Sequence, residues 1–319
     1  MTATITDIDT LRAQINERLI AIYPTGPGLL TEPVAYIAAG QGKRLRPLLT
    51  LLTARACGGS SEVALPAAVA VELLHNFTLV HDDIMDRDQT RHNQPSVHAK
   101  WNQSVAILAG DVLFVLALQE LRRSATNVDA MSAAFVAGAL AVCEGQALDL
   151  SFEERSDVSL QDYLGMVDLK TGHMLGLSAE LGVLAAEGQE AIVTSVRRFG
   201  RLIGRAFQIQ DDLLEIFSDA GTMGKSLGSD LAAGKQTYLL IAARERQPEE
   251  TQEALAAAGD DLERGLSLLR DILESSGIRG EAEELVRRTI AEALAALPAL
   301  GADQTELASF AELVLNRKK

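Results

Sequence analysis

Two clusters of acids sit where this chain is otherwise most apolar and most helix-like. Asp82-Asp83-Ile84-Met85-Asp86 follows the run from Leu73 to Val80, and Asp211-Asp212-Leu213-Leu214-Glu215 follows Phe207 and Ile209. A carboxylate carried into apolar surroundings is costly unless it is paired or bound to a metal. On a helix, positions i and i+4 share a face, one turn apart. Asp82 with Asp86, and Asp211 with Glu215, therefore each present a carboxylate patch. Two such patches facing one another make an oxygen-rich site for a hard divalent cation. Mg²⁺ suits it, because Mg²⁺ takes few carboxylates, keeps waters and completes its shell with substrate phosphate. The pairing points to diphosphate chemistry.

The rest of the chain is built to be helical. Hydrophobic residues make up 47% of the 319 and aromatics only 4%, the apolar set being mostly Ala and Leu, the best helix formers. A net charge of −15 argues against a nucleic-acid binder, which would show a basic stripe. It also means that any phosphate site must be a local concentration of Lys and Arg. Cys57 and Cys143 lack metal-ligand spacing and are expected to fill core space in a reducing cytoplasm. The opening residues, MTATITDIDTLRAQ, have neither the basic nor the apolar region of an export signal. No apolar run is expected to reach the ~20 residues of a membrane span; the longest candidate, Val105 to Leu118, broken by Gly110-Asp111, reads as a buried helix.

Helical periodicity recurs from end to end without a convincing strand pattern. It predicts helices near 7–22, 29–39, 45–57, 62–86, 103–123, 128–150, 159–186, 189–217, 235–246, 249–257, 260–275, 279–297 and 303–316. No long linker divides them, so residues 1–319 are expected to form one all-α domain. Two polar segments, 87–100 and the glycine-rich 218–235, each directly follow an acid cluster, as loops that carry chemistry beside rigid helices do.

Cations complete the pattern. Lys43, Arg44 and Arg46 stand within four positions before an apolar helix. Arg91 follows the first acid cluster, Lys170-Thr171 lies mid-helix, Gln208 is one turn before Asp211, and Lys225 and Lys235 are on the glycine-rich segment. His81, His98 and His173 form no cluster with another His or Cys. The acids scattered through 249–307 read as a solvated helix face.

Taken together, GKRLRP (42–47), LLHNFTLVHDDIMDRDQTRH (73–92), GD (110–111), GQALDL (145–150), KTG (170–172), FQIQDDLLE (207–215) and GKSLGSDLAAGKQT (224–237) resemble the trans-isoprenyl diphosphate synthases of the polyprenyl synthetase family. The resemblance implies an isoprenoid synthase helical bundle around a deep cavity, usually a homodimer. It implies head-to-tail transfer of an allylic prenyl group (dimethylallyl, geranyl or farnesyl) onto isopentenyl diphosphate with release of diphosphate. Carried onto this sequence, Asp82, Asp86 and Asp211 would hold Mg²⁺, three ions once diphosphate is bound, with Asp83, Asp212 and Glu215 completing the metal set. Arg91, Lys170, Lys225 and Lys235 would bind the allylic diphosphate. Lys43, Arg46, His75 and His92 would bind isopentenyl diphosphate, and Thr171 and Gln208 would line the space where the carbocation forms.

Three positions depart from the family pattern: Gln41 for a glycine, His92 for an arginine and Glu215 for an aspartate. Imidazole is a weaker phosphate partner than a bidentate guanidinium, so His92 is expected to weaken co-substrate affinity. A terpene cyclase also uses an aspartate-rich helix and Mg²⁺, but it needs no second substrate, against which Lys43, Arg46 and the lysines of 225–235 stand. A non-catalytic regulatory subunit typically loses one acid cluster, and both are present here. Phe77 and Thr78, five and four positions before Asp82, are expected to set product length. One aromatic at the fifth position resembles the C20 synthases, so geranylgeranyl diphosphate is the expected product, with farnesyl or longer products as alternatives.

Overall fold

The computed structural model describes residues 5–40, 42–218, 231, 234–297 and 304–315. Nearly all of them are helical, as the Ala- and Leu-rich periodicity predicts. Lys225, Gln41 and most of the glycine-rich 218–235 segment, with Gly221, Gly224 and Gly228, lie outside the described residues. The chain divides into two compact units, one of Met1–Ala139, Met174–Gly200 and Ala296–Phe310, the other of Leu140–His173, Arg201–Ala295 and Ala311–Lys319.

The first unit is organised on α4, Ser61–Met85, which packs against α3 (Leu45–Ala56) and α6 (Gln103–Leu121). Ser60 starts α4 by accepting from the Val63 N–H at 3.3 Å, and Asn102 starts α6 by accepting from Val105 at 2.9 Å, each satisfying a donor that has no partner within the helix. Leu48, Leu49, Leu51, Leu52, Leu73, Leu74 and Leu113 are completely buried between these helices. α1 (Ile5–Ile20) and α2 (Gly28–Ala38) pack on the same core.

α4 ends by design rather than by fraying. Asp86 is its C-cap, Arg87 takes a left-handed backbone (φ 58°), and the Arg87 and Asp88 N–H groups bond back to the Ile84 and Asp83 carbonyls at 3.3 and 2.9 Å. That is a Schellman closure. The chain then makes a small hairpin, Thr90–Arg91 against Gln94–Pro95, and a one-turn helix α5, Val97–Lys100. Sequence periodicity missed both, because each is too short to show a repeat. His92 and Asn93 form the hairpin turn with φ 51° and 61°, both positive as a two-residue type I′ turn requires. His and Asn are among the non-glycine residues that enter this region most readily.

In the second unit, Phe152 and Val158 pack with Tyr163, Met166, Val167 and Ile241. α8 (Leu160–Val167) opens on a reciprocal capping box between Ser159 and Asp162. The expected single helix over 159–186 is instead α8, a π-helical turn at Asp168–Gly172, and α9, His173–Ala185. The His173 N–H reaches the Asp168 carbonyl across five residues, a widening that apolar spacing does not report.

Two further expectations need correction. α4, α6 and α7 (Val128–Glu153) are each long and apolar enough to cross a membrane by length and composition, their few charges interrupting the sequence run without lowering its mean hydropathy much. α6 is also less buried than its run suggested: Ile107, Leu108 and Val115 are exposed, as are Val136 and Leu140 on α7. Cys143 is exposed and Cys57 half-buried, so neither is a deep core residue.

Candidate active site

Each acid cluster stands at the C-terminal end of its helix. Asp82 and Asp83 lie in the last turn of α4, with Asp86 as cap; Asp211, Asp212 and Glu215 lie in the last two turns of α10, Glu190–Phe217. This is where a helix already presents negative carbonyl ends, so anionic side chains are electrostatically misplaced. A bound cation offsets that cost. The Asp86 N–H bonds to the Asp82 carbonyl at 2.8 Å, so the helical i, i+4 relation between the two carboxylates is kept through the cap. Asp82 and Asp86 are half-buried, as are Asp211 and Glu215.

The second aspartate of each pair is built differently. Asp83 is buried and accepts from Arg91 Nε at 2.8 Å and from Arg91 Nη2. Asp212 is buried and accepts from the Tyr163 hydroxyl at 2.6 Å, the Tyr238 N–H at 3.0 Å and Gln208 Nε2 at 3.3 Å. Both are buried, whereas Asp82, Asp86, Asp211 and Glu215 are half-buried and so more accessible to solvent. Tyr163 and Tyr238 were not recognisable as site residues from sequence.

Cations surround the first cluster. Arg91 also donates to Asp88 at 3.2 Å. Burial opposes the Arg91 charge, but Asp83 outweighs it by charge and hydrogen bond, and the Arg91 pKa is raised. Lys43 is exposed. Arg46 Nη1 lies 3.1 Å from His75 Nε2, the arginine donating, so the imidazole is neutral. Burial, followed by the positive charges of Arg46, Arg91, His92 and Arg44, drives the His75 pKa well below its ordinary value. Three arginines acting on one imidazole mark a locally positive region on a strongly acidic protein, the kind of place that attracts phosphate.

In the second unit, Lys170 sits on the π-helical turn and its Nζ donates to Asp149 at 2.6 Å. Asp149 belongs to the GQALDL motif, but lies on a different helix, so sequence spacing gave no sign of the pairing. Thr171 is buried and donates to Gln208 Oε1 at 3.2 Å. Glycines make these approaches possible. A Cβ on Gly145 would lie 2.5 Å from the Lys170 nitrogen, and one on Gly204 would lie 2.7 Å from the Gly172 Cα. Lys235 lines a small pocket with Asp212, Glu215 and Thr237.

The product-length candidates lie on α4 in the first unit, both half-buried. Phe77 stacks on Phe114, ring centroids 5.3 Å apart, and Phe114 on Phe135 at 6.0 Å. Thr78 turns its hydroxyl back to the His75 carbonyl at 2.8 Å. His81 contacts the Ile107 carbonyl at 3.2 Å and Phe77 edge-on. It occupies the space that a Cβ on Gly110 would need, 2.3 Å away.

Among the described residues, no group of three or more His, Cys, Asp or Glu is arranged to hold a metal alone. Mg²⁺ does not require one, since one or two carboxylates with water and substrate phosphate suffice. The donor set fits: oxygen-only ligands at the ends of helices, with no thiol or imidazole cluster.

The family model for polyprenyl synthetase matches residues 27–272. A geranylgeranyl diphosphate synthase of Methanosarcina mazei is 41% identical over 229 residues, 70% of this chain and 69% of its own. The solved geranylgeranyl pyrophosphate synthetase of Pyrococcus horikoshii superposes with a TM-score of 0.91 at 34% identity, covering 98% of each chain. The polyprenyl synthase of Caulobacter crescentus, solved with calcium and isoprenyl diphosphate, gives 0.88 at 26% identity over 98% of this chain and 95% of its own.

Proposed function

The chain belongs to the polyprenyl synthetase family, and we propose that it is the Mg²⁺-dependent enzyme that extends allylic diphosphates with isopentenyl diphosphate to geranylgeranyl diphosphate. The observation that carries the reading is the matched construction of α4 and α10. Each ends in outer carboxylates at i, i+4 and an inner aspartate locked by protein donors. The M. mazei and P. horikoshii relatives, both named for the C20 product, support the product assignment, as does Thr78 beside Phe77.

Asp82, Asp86, Asp211 and Glu215 hold the Mg²⁺ ions, with Asp83 and Asp212 fixing the geometry behind them. Bound there, the metal supplies charge neutralisation for the departing diphosphate. Lys170, Lys225 and Lys235, with Arg91, take the allylic diphosphate, and Asp149 fixes the Lys170 ammonium. Lys43, Arg46, His75 and His92 take isopentenyl diphosphate. The allylic carbon–oxygen bond breaks and the isopentenyl double bond attacks the resulting cation. A proton is then lost to the released diphosphate, so no side chain serves as base. Thr171 and Gln208 line the cation space, and their hydrogen bond to one another fixes the orientation of both side chains there.

Residues 1–319 act as one catalytic domain, to which Lys225 and Lys235 contribute charge for diphosphate. The enzyme works in the cytoplasm as a homodimer, a second copy covering Ile107, Leu108, Val115 and Val136. The apolar length of α4 and α6 serves protein packing rather than a membrane, because their acids Glu72 and Glu120 are buried against Arg44 and Arg18. Incubation with Mg²⁺, farnesyl diphosphate and labelled isopentenyl diphosphate tests the reading. Labelled C20 diphosphate supports it, and no labelled prenyl product overturns it.

A further inference from the structure

We propose that Arg44, the middle cation of the GKRLRP motif, is a positioning residue for the isopentenyl diphosphate subsite rather than a ligand in it. The inference rests on the assignment of Lys43, Arg46 and His75 to that subsite.

Charge alone would place Arg44 with its neighbours on the substrate. The geometry places it inside the protein. Its side chain is 4% exposed and is paired with Glu72, also 4% exposed, at 2.7 Å. Nε donates to Asn16 Oδ1 at 2.8 Å, and Nη2 donates to the Ala38 carbonyl at 3.0 Å and the Gly40 carbonyl at 2.7 Å. One guanidinium thus ties together α1 through Asn16, the carbonyl end of α2, and α4 through Glu72. An arginine at the last carbonyls of a helix is favoured by the helix dipole as well as by the hydrogen bonds.

The backbone is bent to allow this. Arg44 has φ 54° and ψ 37°, a left-handed conformation directly before α3, uncommon for a residue with a long side chain. That turn sends the Arg44 side chain inward while Lys43 on one side remains exposed and Arg46 on the other reaches His75 at 3.1 Å. Gly42 is bare for the same reason: a Cβ there would lie 3.3 Å from Arg44 Nη1 and 3.9 Å from Glu72 Oε1. Glu72 stands three residues before His75 on α4, so the two are neighbours on one side of the helix. The Arg44–Glu72 brace therefore fixes both walls of the subsite at once, the loop bearing Lys43 and Arg46 and the helix bearing His75. Groups that support a ligand-binding residue commonly matter about 10- to 100-fold, because a small misplacement of a phosphate clamp is expensive.

Steady-state kinetics on three variants tests this, with KM measured separately for isopentenyl and allylic diphosphate. Arg44→Lys keeps the charge but loses the planar fork. Its isopentenyl KM should rise about tenfold or more while the allylic KM stays within about twofold. Glu72→Gln breaks the same brace from α4, leaving the buried guanidinium without its counter-charge, and should likewise raise the isopentenyl KM about tenfold with the allylic KM within about twofold. Asn16→Ala removes a single acceptor at the edge of the cluster, so it should fold even if Arg44→Lys does not, and should raise the isopentenyl KM about threefold. Damage to folding alone lowers the amount of active enzyme, and so kcat, without moving either KM. An unchanged isopentenyl KM in Arg44→Lys and Asn16→Ala, or a parallel rise in both KM values, overturns the proposal. Absence of prenyl transfer by the unsubstituted enzyme instead overturns the functional assignment beneath it.

Discussion

The hydroxyl of Tyr163 donates to the buried carboxylate of Asp212 at 2.6 Å, across 49 residues of sequence. Asp83 stands in the same relation to Arg91. In each Asp-Asp pair one carboxylate is buried against protein donors and its neighbour is half-buried, the one to which the proposed function gives the metal. Tyr163→Phe removes one donor to a buried charge, a bond worth about 1.5–3 kcal/mol. We expect that loss in chemical denaturation together with a lowered kcat, since Asp211 is adjacent. Full stability in Tyr163→Phe would contradict the role given to Asp212.

Gly145 lets α7 approach the turn that carries Lys170, and a Cβ there would sit 2.5 Å from the Lys170 nitrogen and 2.8 Å from its Cα. Backbone cannot yield as a side chain end can. Gly145→Ala should cost about 1–3 kcal/mol by overpacking and raise the allylic diphosphate KM by displacing Lys170. An allylic KM equal to that of the unsubstituted enzyme would separate Lys170 from substrate.

His75 makes stability depend on pH. Its folded pKa lies well below the ordinary 6.5, so the unfolded chain takes up a proton before the folded one does. Stability is complete above about pH 6.5 and falls as pH drops below it. His75→Gln removes this contribution, so the difference in Tm between the two proteins should shift against the unsubstituted enzyme between pH 7.5 and pH 5.5. A difference independent of pH in that window would show His75 free to protonate in the folded state.

Product length should follow the Phe77–Phe114 stack. Phe77→Ala opens the floor as far as Phe114, and lengthens the product; Thr78→Phe adds a ring one turn before Asp82 and shortens it. Phe114 was not legible as part of this floor until its ring was found 5.3 Å from Phe77, and Phe77→Ala/Phe114→Ala should lengthen the product further than Phe77→Ala. Chromatography of dephosphorylated products decides this, and an unchanged C20 product in all three variants would place the floor elsewhere.

The parts legible in sequence are those that helical periodicity governs. The expected helix at 62–86 is observed at Ser61–Met85 and that at 189–217 at Glu190–Phe217, because a long periodic apolar run marks the body of a helix, while caps such as Ser60 set its ends. The i, i+4 relation of Asp82 and Asp86 follows from the same geometry. What escaped was decided by contacts distant in sequence or by local backbone. Nothing near Arg44 announces that Glu72 will bury it. The π-helical turn at Asp168–Gly172 leaves no mark on the apolar spacing, and the hairpin at 90–95 turns on His92-Asn93 without the usual glycine. His92 fits that turn conformationally, which gives a structural reason for the departure from arginine that charge alone made unfavourable.

The central claim is that the outer carboxylates of α4 and α10 hold the metal on which catalysis depends. The direct measurement is turnover as a function of Mg²⁺ for the unsubstituted enzyme and for Asp82→Ala, Asp86→Ala and Asp211→Ala, with circular dichroism to confirm the fold. Metal-borne charge stabilisation is worth several kcal/mol, so each variant should lose turnover by orders of magnitude while keeping its helical signal. A folded variant with near wild-type turnover at limiting Mg²⁺ would contradict the account.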